Sequence, residues 1–353
     1  FKKIAARDID IDGIIASPKI SEYRCKIQLP FSQTKVSKRL LSGYYKKNSH
    51  ELINIKYCPM QPDIINQINE YLKIEAQNLG ITGYCEKNNQ GLIRHIVYRI
   101  SSDFSQILVI FVLNSNSIDK KIYQLTEKLM EKYPQIKGIC ANFNTKKTNV
   151  IQGEKTTVIK GQNYYIETIK DIKYKVSSSS FFQVNPYCAE LIFAKVKNLI
   201  KERIKNPTLL DAYSGVSSFG IWLSDIAKNV TSVEEVKSAS CDAAENLKLN
   251  NISNVEIING DAAKEFEKLI KRKIRYDVSV TDPPRKGCSS ESIDYLSALT
   301  SKFIVYVSCN PATLARDVKI LNEKGFKLEY LQCADMFPNT YHIECIALLE
   351  RKE

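Results

Sequence analysis

Residues 208–220 read TLLDAYSGVSSFG, a short apolar run followed by a turn of small residues. An apolar run of this length predicts a buried strand, and small residues let the next turn approach a ligand where a helix begins. The full G-x-G-x-x-G pattern is absent, because Ser217 stands where a second glycine is expected. Taken alone, the stretch predicts either a nucleotide-type binding turn or a tight strand–helix turn without a ligand.

Strand-like and helix-like runs alternate downstream of this turn. Further apolar runs lie at residues 230–236, 255–259, 276–281, 303–308 and 342–349, and helical segments at 238–249, 262–272 and 312–323 separate most of them. Such alternation predicts an α/β fold with a parallel, doubly wound sheet. In these sheets ligands bind beyond the carboxyl ends of the strands, so candidate site residues are sought there.

The chain before about residue 170 has a different pattern. Strand-like runs at 22–29, 92–100, 106–114 and 164–168 accompany two helical patterns, at 63–79 and 119–133. This mixture is typical of an α+β domain. We therefore predict a smaller α+β domain over residues 1–170 and a Rossmann-like α/β domain over 171–353, with residues 1–16 packing on the latter.

The charge balance favours an acidic partner. The 353 residues include 51 Lys and Arg against 39 Asp and Glu, a formal net charge of +12. Nucleic acid is the first candidate, although solubility alone is an equally good explanation. The longest purely apolar run, 107–113, is far shorter than the roughly 20 residues of a membrane span, and no signal peptide is visible. We expect a cytoplasmic monomer that has no membrane partner.

The ten cysteines are scattered, and none forms a C-x-x-C pair. The three histidines, His50, His95 and His342, form no spaced pair either. These patterns exclude a zinc ribbon and a compact disulfide scaffold, and they predict reduced, mostly buried thiols and no metal site.

Acidic residues follow three of the predicted strands. Glu234 lies about twenty residues after the small-residue turn, where doubly wound folds bind ribose hydroxyls. Asp261 is placed either to accept from an adenine amino group or to cap the next helix. Asp282 lies in TDPPRKG (281–287), an acid-Pro-Pro pattern found at the substrate-facing corner of many S-adenosylmethionine enzymes. Amino-group methylases carry an aromatic residue where Arg285 stands here, which disfavours an exocyclic nitrogen as the target.

A thiol follows the predicted strand 303–308, and a carboxylate lies near the start of the last predicted strand, 342–349. Cys309 follows a strand and precedes a helix, so the helix N-terminus and Arg285 or Arg316 are expected to lower its pKa and make it a nucleophile. Most free cysteines are instead inert and buried. Glu344 lies among apolar residues, either partly buried with an altered pKa or exposed at a sheet edge.

Five motifs, in order and spacing, resemble those of the RNA uracil-5-methyltransferases, which methylate uridine in ribosomal or transfer RNA. They are FFQVN (181–185), DAYSGVSSF (211–219), TDPPRKG (281–287), VSCNPATLARD (307–317) and FPNTYHIE (337–344). Residues 43–58 and 91–95 resemble the family's central RNA-contacting domain. The likeness covers nearly the whole chain, and the motifs with Cys309 and Glu344 are its most specific part.

The resemblance implies a role for individual residues. The contacts to S-adenosylmethionine would be Gln183, Tyr213, Ser218, Glu234, Asp261 and Asp282. Asp282 has a second possible role, a hydrogen bond to the edge of the uracil, and the sequence does not separate the two. Cys309 would attack carbon 6 of the uracil, and Glu344 would remove the proton from carbon 5. Arg285 and Arg94 would contact the RNA. The stretch 43–58 favours 23S ribosomal RNA over transfer RNA as the substrate.

Two departures from the family pattern matter. Family members often begin with a small β-barrel domain, which is not found here, and the ribosomal branch usually carries a four-iron four-sulfur cluster. Cys58 matches the last cluster ligand, but only Cys25 precedes it, so we expect no cluster in this chain. Either the chain is part of a longer protein or this member lacks the cluster. The second departure, Ser217, is expected to tighten the methionine end of the cofactor pocket.

Three other functions stay open from the sequence. One is methylation of uridine in transfer RNA, and another is an S-adenosylmethionine methylase that acts on a cytosine carbon or on protein. The third is an RNA-binding protein with an inactive methylase fold. The intact Cys309, Glu344 and Asp282 disfavour the third, and a cofactor-binding measurement would separate it from the enzymes.

Overall fold

The computed structural model describes residues 10–352, which form two compact units. One unit comprises residues 21–167 with 177–179, and the other comprises 10–20, 168–176 and 180–352. Strands β9 (Tyr164–Ile169) and β10 (Ile172–Ser177) form a hairpin at the passage from one unit to the other. The domain boundary predicted at residue 170 falls in this hairpin. Of the predicted N-terminal segment, residues 1–9 lie outside the described residues.

The unit formed by residues 21–167 has a seven-stranded sheet in the order β4-β3-β2-β5-β6-β7-β8. Its strands are β2 (Lys26–Gln33), β3 (Leu40–Tyr45), β4 (Leu52–Asn54), β5 (Ile93–Ile100), β6 (Ile107–Leu113), β7 (Ile136–Phe143) and β8 (Lys155–Gly161). Only β6 and β7 run parallel among these pairs, because the helix α2 (Lys120–Lys132) connects them. The helix α1 (Asp63–Asn78) and α2 share one apolar core with the sheet. Both predicted helices are therefore present.

The other unit has an eight-stranded sheet in the order β1-β16-β17-β15-β14-β11-β12-β13. Its strands are β1 (Ile14–Ile15), β11 (Thr208–Ala212), β12 (Asn229–Glu234), β13 (Val255–Asn259), β14 (Tyr276–Thr281), β15 (Thr300–Ser308), β16 (Phe326–Ala334) and β17 (Glu344–Arg351). Its helices are α3 (Pro186–Lys201), α4 (Ser218–Leu223), α5 (Lys237–Leu249), α6 (Ala262–Lys271), α7 (Ser290–Leu299) and α8 (Pro311–Glu323). The predicted α/β fold is confirmed.

The strand order creates a crevice at one edge of this sheet. β11 pairs in parallel with β12 on one side and with β14 on the other, so the connections diverge from it. Such a reversal opens a gap beyond the carboxyl ends of the strands, which is where ligands bind in doubly wound sheets. β17 is antiparallel to both its neighbours, β15 and β16. Its first residue therefore lies at the same edge as the last residues of the parallel strands.

The helices are too short or too polar to be membrane spans. In the part of the chain that the structure describes, no helix combines the length and the apolar character needed to cross a bilayer.

Asn246 of α5 and Asn250, the residue that follows this helix, hold strand β10 along its open edge. Asn246 Oδ1 accepts from the Lys175 amide at 2.6 Å, and its Nδ2 donates to the Lys175 carbonyl at 3.2 Å. One helical turn later, Asn250 makes the same two bonds to the backbone of Lys173. The amide side chains thus replace a neighbouring strand. Asn246 also donates to the carbonyl of Val216, in the turn after β11.

We expect Asn246→Ala to lower the free energy of unfolding by about 1–3 kcal/mol, because it removes the partners of buried backbone groups. Asn246 is fully buried, whereas Asn250 is only partly so. Asn250→Ala is the matched control and should cost less, since water replaces the lost bonds. Urea unfolding of both variants measures the difference. Equal losses would show that burial of Asn246 adds nothing.

Candidate active site

The turn after β11 has an unusual backbone. Tyr213, Gly215 and Ser217 have φ values of 60°, 58° and 60°, all in the left-handed region. Such values cost non-glycine residues of order 1–3 kcal/mol, so the surroundings must hold the turn in place. The Ser214 amide donates to the carbonyl of Val233 at 3.0 Å, which fixes the turn to β12. The predicted binding turn is therefore a constrained loop at the crevice.

A buried polar cluster lies behind this turn. Asp211 accepts from the Gly220 amide at 2.8 Å and from the Ser232 hydroxyl at 3.3 Å. The Ser217 hydroxyl lies 2.8 Å from that of Ser232, and Ser217 is fully buried. Burial raises the pKa of Asp211 to about 7. No function was predicted for Asp211. Its position in the DAYSG motif was the only sequence signal that it belongs to this cluster.

Glu234 fastens the same turn from the end of β12. Its Oε2 accepts from the Gly215 amide at 2.8 Å, and its Oε1 accepts from the Val236 amide at 2.7 Å. Asp261, after β13, caps α6 by accepting from the Lys264 amide at 3.1 Å. The capping alternative for Asp261 is therefore present in the structure.

Gln183 and Asp282 meet at the crevice. Gln183 Nε2 donates to Asp282 Oδ2 at 3.1 Å. Burial raises the pKa of Asp282 to about 7, although the hydrogen bond from Gln183 opposes the rise. Tyr213 is half-buried after β11, and Ser218 is the first residue of α4.

Cys309 and Glu344 lie at neighbouring strand ends. In the antiparallel pairing of β15 and β17, Ser308 stands opposite Cys345. Continuing that register by one residue brings Cys309 beside Glu344. Glu344 is only 7% exposed, and its Oε2 has no hydrogen-bond partner among residues 10–352. Burial and the charge of Asp282 raise its pKa well above the usual range, whereas Arg285 acts in the opposite direction.

The expectation that the Cys309 pKa is lowered was wrong. Burial, with the charges of Glu344 and Asp282, raises the pKa of the thiol, and the nearby Arg285 only partly offsets this. Arg316, the other expected cation, is engaged elsewhere. It pairs with Asp317 at 2.7 Å and donates to the carbonyls of Lys286 and Cys288.

Arg285 bridges the two motifs that contain the thiol and the carboxylate. Its Nη2 lies 2.9 Å from Nδ1 of His342, two residues before Glu344. The backbone carbonyl of Arg285 accepts from Asn310 Nδ2 at 3.2 Å, next to Cys309. His342 was not among the predicted site residues: it was predicted as the first residue of the last strand, whereas the structure has it two residues before β17.

Arg94 lies in the other unit and is part of its scaffold. It is 4% exposed, and its guanidinium donates to the carbonyls of Asn144, Lys146 and Thr148 at 2.7–3.2 Å. Cys58 is also buried there, as is Cys25. Within residues 10–352, no group of three or more His, Cys, Asp or Glu residues is arranged to hold a metal ion.

The crevice fits a polar ligand of nucleoside type. Besides Glu344, two buried side chains at the strand ends, Ser214 and Thr281, carry oxygens without a partner in the described chain. A Cβ on Gly215 would find only the Phe181 carbonyl within 4 Å, at 4.0 Å, so the turn faces open space.

Known proteins with similar sequences are RNA methyltransferases. The sequence model of the tRNA (uracil-5-)-methyltransferase family matches residues 147–352. An uncharacterized RNA methyltransferase of Fusobacterium nucleatum is 39% identical over 100% of this chain and 75% of the relative. One from Clostridium acetobutylicum is 38% identical over 93% of this chain and 71% of the relative.

A solved structure agrees with these sequences. It is the tRNA (uracil-54, C5)-methyltransferase of Pyrococcus abyssi in complex with S-adenosyl-L-homocysteine. It is 27% identical, with a TM-score of 0.78 over 99% of this chain and 80% of that chain. The strand order, the crevice and these likenesses agree: the chain belongs to the RNA uracil-5-methyltransferase family and uses S-adenosylmethionine.

Proposed function

We propose that this RNA methyltransferase methylates carbon 5 of a uridine through a covalent bond between Cys309 and carbon 6. The observation that carries the proposal is the β15–β17 register, which brings a thiol and a buried carboxylate to one point of the crevice. The charge of Asp282 raises the pKa of both groups, and the charge of Arg285 lowers it. The mechanism needs both functional groups to reach the same uracil ring.

Carbon 5 of uracil is a weak nucleophile until carbon 6 is attacked. The Cys309 thiolate forms a bond to carbon 6, and the electron pair of the ring double bond moves toward the carbonyl oxygen at position 4. Carbon 5 thereby becomes nucleophilic. S-adenosylmethionine supplies the electrophilic methyl group. Covalent attack of this kind divides one difficult reaction into two easier steps.

Glu344 completes the reaction as a base. Its carboxylate takes the proton from carbon 5, the ring double bond re-forms, and the bond from carbon 6 to the Cys309 sulfur breaks. The thiolate leaves, which restores the enzyme. Since burial raises the pKa of Glu344, its ionised form is a stronger base than an exposed glutamate.

The cofactor contacts are assigned to the residues around the turn and the strand ends. They are Gln183, Tyr213, Ser218, Glu234, Asp261 and Asp282. Glu234 is assigned to the ribose hydroxyls, although its oxygens also accept from the amides of Gly215 and Val236. Arg285 is assigned to the RNA side of the crevice. The uridine must leave its stack to reach Cys309, which unpaired RNA loops allow most readily.

Ribosomal RNA is the proposed substrate, because the resemblance of residues 43–58 to the family favours it over transfer RNA. Transfer RNA is the second candidate, because the similar Pyrococcus abyssi enzyme is named for uridine 54 of tRNA. Incubating the enzyme separately with each unmodified RNA and mapping 5-methyluridine by mass spectrometry separates the two. Transfer of the methyl group to any other atom would refute the uracil-5 assignment.

Substitution of the two catalytic candidates should have different outcomes. Cys309→Ala should abolish both methylation and covalent RNA attachment. Glu344→Gln keeps the shape of the side chain but cannot accept the proton. Methylated RNA should therefore remain attached through Cys309, since loss of a base slows a step about 100- to 10,000-fold. A denaturing gel detects the adduct. Methylation by Cys309→Ala would refute the thiolate mechanism.

Removing Arg285 should raise the pKa of Cys309, because this cation is what counteracts burial and the carboxylates. The pH at which iodoacetamide alkylates Cys309 half-maximally should move upward in Arg285→Ala. Peptide mass spectrometry follows Cys309 separately from the other thiols. Lys286→Ala, which removes the next exposed cation, is the control and should leave the midpoint in place. An unchanged midpoint in both variants would contradict the role of Arg285.

Glu234→Ala should weaken S-adenosylmethionine binding by roughly 1–3 kcal/mol, because a charged hydrogen bond is lost. Titration calorimetry measures the change. Glu235→Ala is a matched control, since its carboxylate is exposed one residue further along. Similar affinities for the two variants would argue against the ribose contact.

A further inference from the structure

A cavity of about 340 Å³ lies within the unit formed by residues 21–167. Its size falls in the range of about 300–1,000 Å³ that small-molecule sites usually have. The lining includes three tyrosines, Tyr44, Tyr45 and Tyr84, and two histidines, His50 and His95. None of these residues has a part in the methyl-transfer site.

Two buried residues that line the cavity carry polar atoms without hydrogen-bond partners among the described residues. His95 is 8% exposed, and its Nδ1 has no hydrogen-bond partner among the described residues. Burial and the charge of Arg94 lower the pKa of His95 to about 4, so its imidazole is neutral at pH 7. Nε of the buried Arg94 also lacks a partner within residues 10–352. Buried polar groups without partners are costly, so a group that hydrogen-bonds to these atoms would stabilise this part of the unit.

The outer wall offers an aromatic face. Tyr45 is 44% exposed, although it lies on strand β3, and its ring centroid is 5.9 Å from that of His50. His50 Nδ1 lies 2.8 Å from a carboxylate oxygen of Glu86, which joins two loops at the rim. By contrast, Tyr84 is 7% exposed and has the Arg94 guanidinium 4.5 Å from its ring centroid. Tyr45 is therefore the aromatic ring available for stacking.

The charged groups that line the cavity differ from those around it. The Nη atoms of Arg94 already donate to backbone carbonyls, and Glu86 adds a negative charge, so a phosphate is disfavoured inside. Three exposed lysines, Lys47, Lys87 and Lys147, lie within two residues of lining residues. A base inside the cavity with its phosphates outside satisfies both conditions.

We propose that this cavity binds the base of one unpaired nucleotide of the RNA substrate, stacked on Tyr45 and hydrogen-bonded to His95. The inference rests on RNA being the substrate and adds a second nucleotide, separate from the one methylated. Lys47, Lys87 and Lys147 contact the flanking phosphates. Single-stranded RNA is commonly held by stacked bases and a basic surface of this kind.

The test measures binding of fluorescein-labelled 12-mers by the full chain without S-adenosylmethionine. The probes are oligouridylate, oligoadenylate and an abasic ribose-phosphate strand of equal length. Tyr45→Ala should weaken binding of at least one base-bearing strand about tenfold, without changing the salt slope or the affinity for the abasic strand. Tyr123→Ala is the control, because Tyr123 is 48% exposed on α2 of the same unit. It should bind as the wild type does.

Lys47→Ala is the complementary variant. It should weaken all three probes similarly and reduce the salt slope by about 1. The proposal is overturned if Tyr45→Ala binds the base-bearing strands like Tyr123→Ala, or if it loses affinity for the abasic strand equally. It is also overturned if the wild type does not prefer base-bearing strands. Because this assay contains no methyl donor, its result is independent of which RNA atom the enzyme methylates.

Discussion

The antiparallel pairing of β17 with β15 is the interaction on which the proposed active site depends. Parallel strands all end at the crevice, so they supply only their last residues and the residues that follow them. An antiparallel strand begins there, and its first residue, Glu344, pairs with Ala334 of β16. The carboxylate is thus buried on a rigid element, whereas Cys309 lies at the start of a loop. This difference suits the role of base that we propose for Glu344, since a base must be positioned accurately.

The pKa values of the groups in the crevice follow from the burial of several acidic groups close to one another. Asp282, Glu344 and Cys309 share a poorly solvated space, and the pKa of each is raised. Arg285 is the cation that acts on both Cys309 and Glu344. A positively charged methyl donor adds a second cation, which favours the ionised thiol and carboxylates. In the proposed mechanism, binding of the cofactor and ionisation of Cys309 would therefore be coupled by charge.

Much of the fold could be predicted from the sequence, because apolar runs and punctuating residues are local signals. The strands ending near Tyr213, Glu234 and Asp282 are confirmed, as are the α/β class, the family and the cofactor. The strand β16 (Phe326–Ala334) was not predicted, although residues 326–330 alternate apolar and polar residues as a half-buried strand does. The roles of the individual site residues stay predictions.

Features that depend on three-dimensional surroundings could not be predicted. The sign of the Cys309 pKa shift required knowing that burial and two carboxylates outweigh one arginine. Arg94 was expected to contact RNA, but its guanidinium donates to backbone carbonyls that lie about fifty residues further along the chain. No sequence pattern reports such long-range partners. The cavity beside Arg94 could not be predicted for the same reason, because residues between 28 and 151 that are distant in sequence line it.

The serine cluster behind the binding turn has a consequence for how this sequence can vary. A Cβ on Gly220 would lie 2.4 Å from the hydroxyl oxygens of both Ser217 and Ser232. A side chain at position 220 therefore requires both hydroxyls to move or both serines to become smaller residues, and Ser217 itself occupies a left-handed backbone that glycine adopts more easily. The three positions are coupled: glycine at 217 alone would still leave the Ser232 hydroxyl in the way of a side chain at 220. Any exchange of this turn between family members must carry all three residues together.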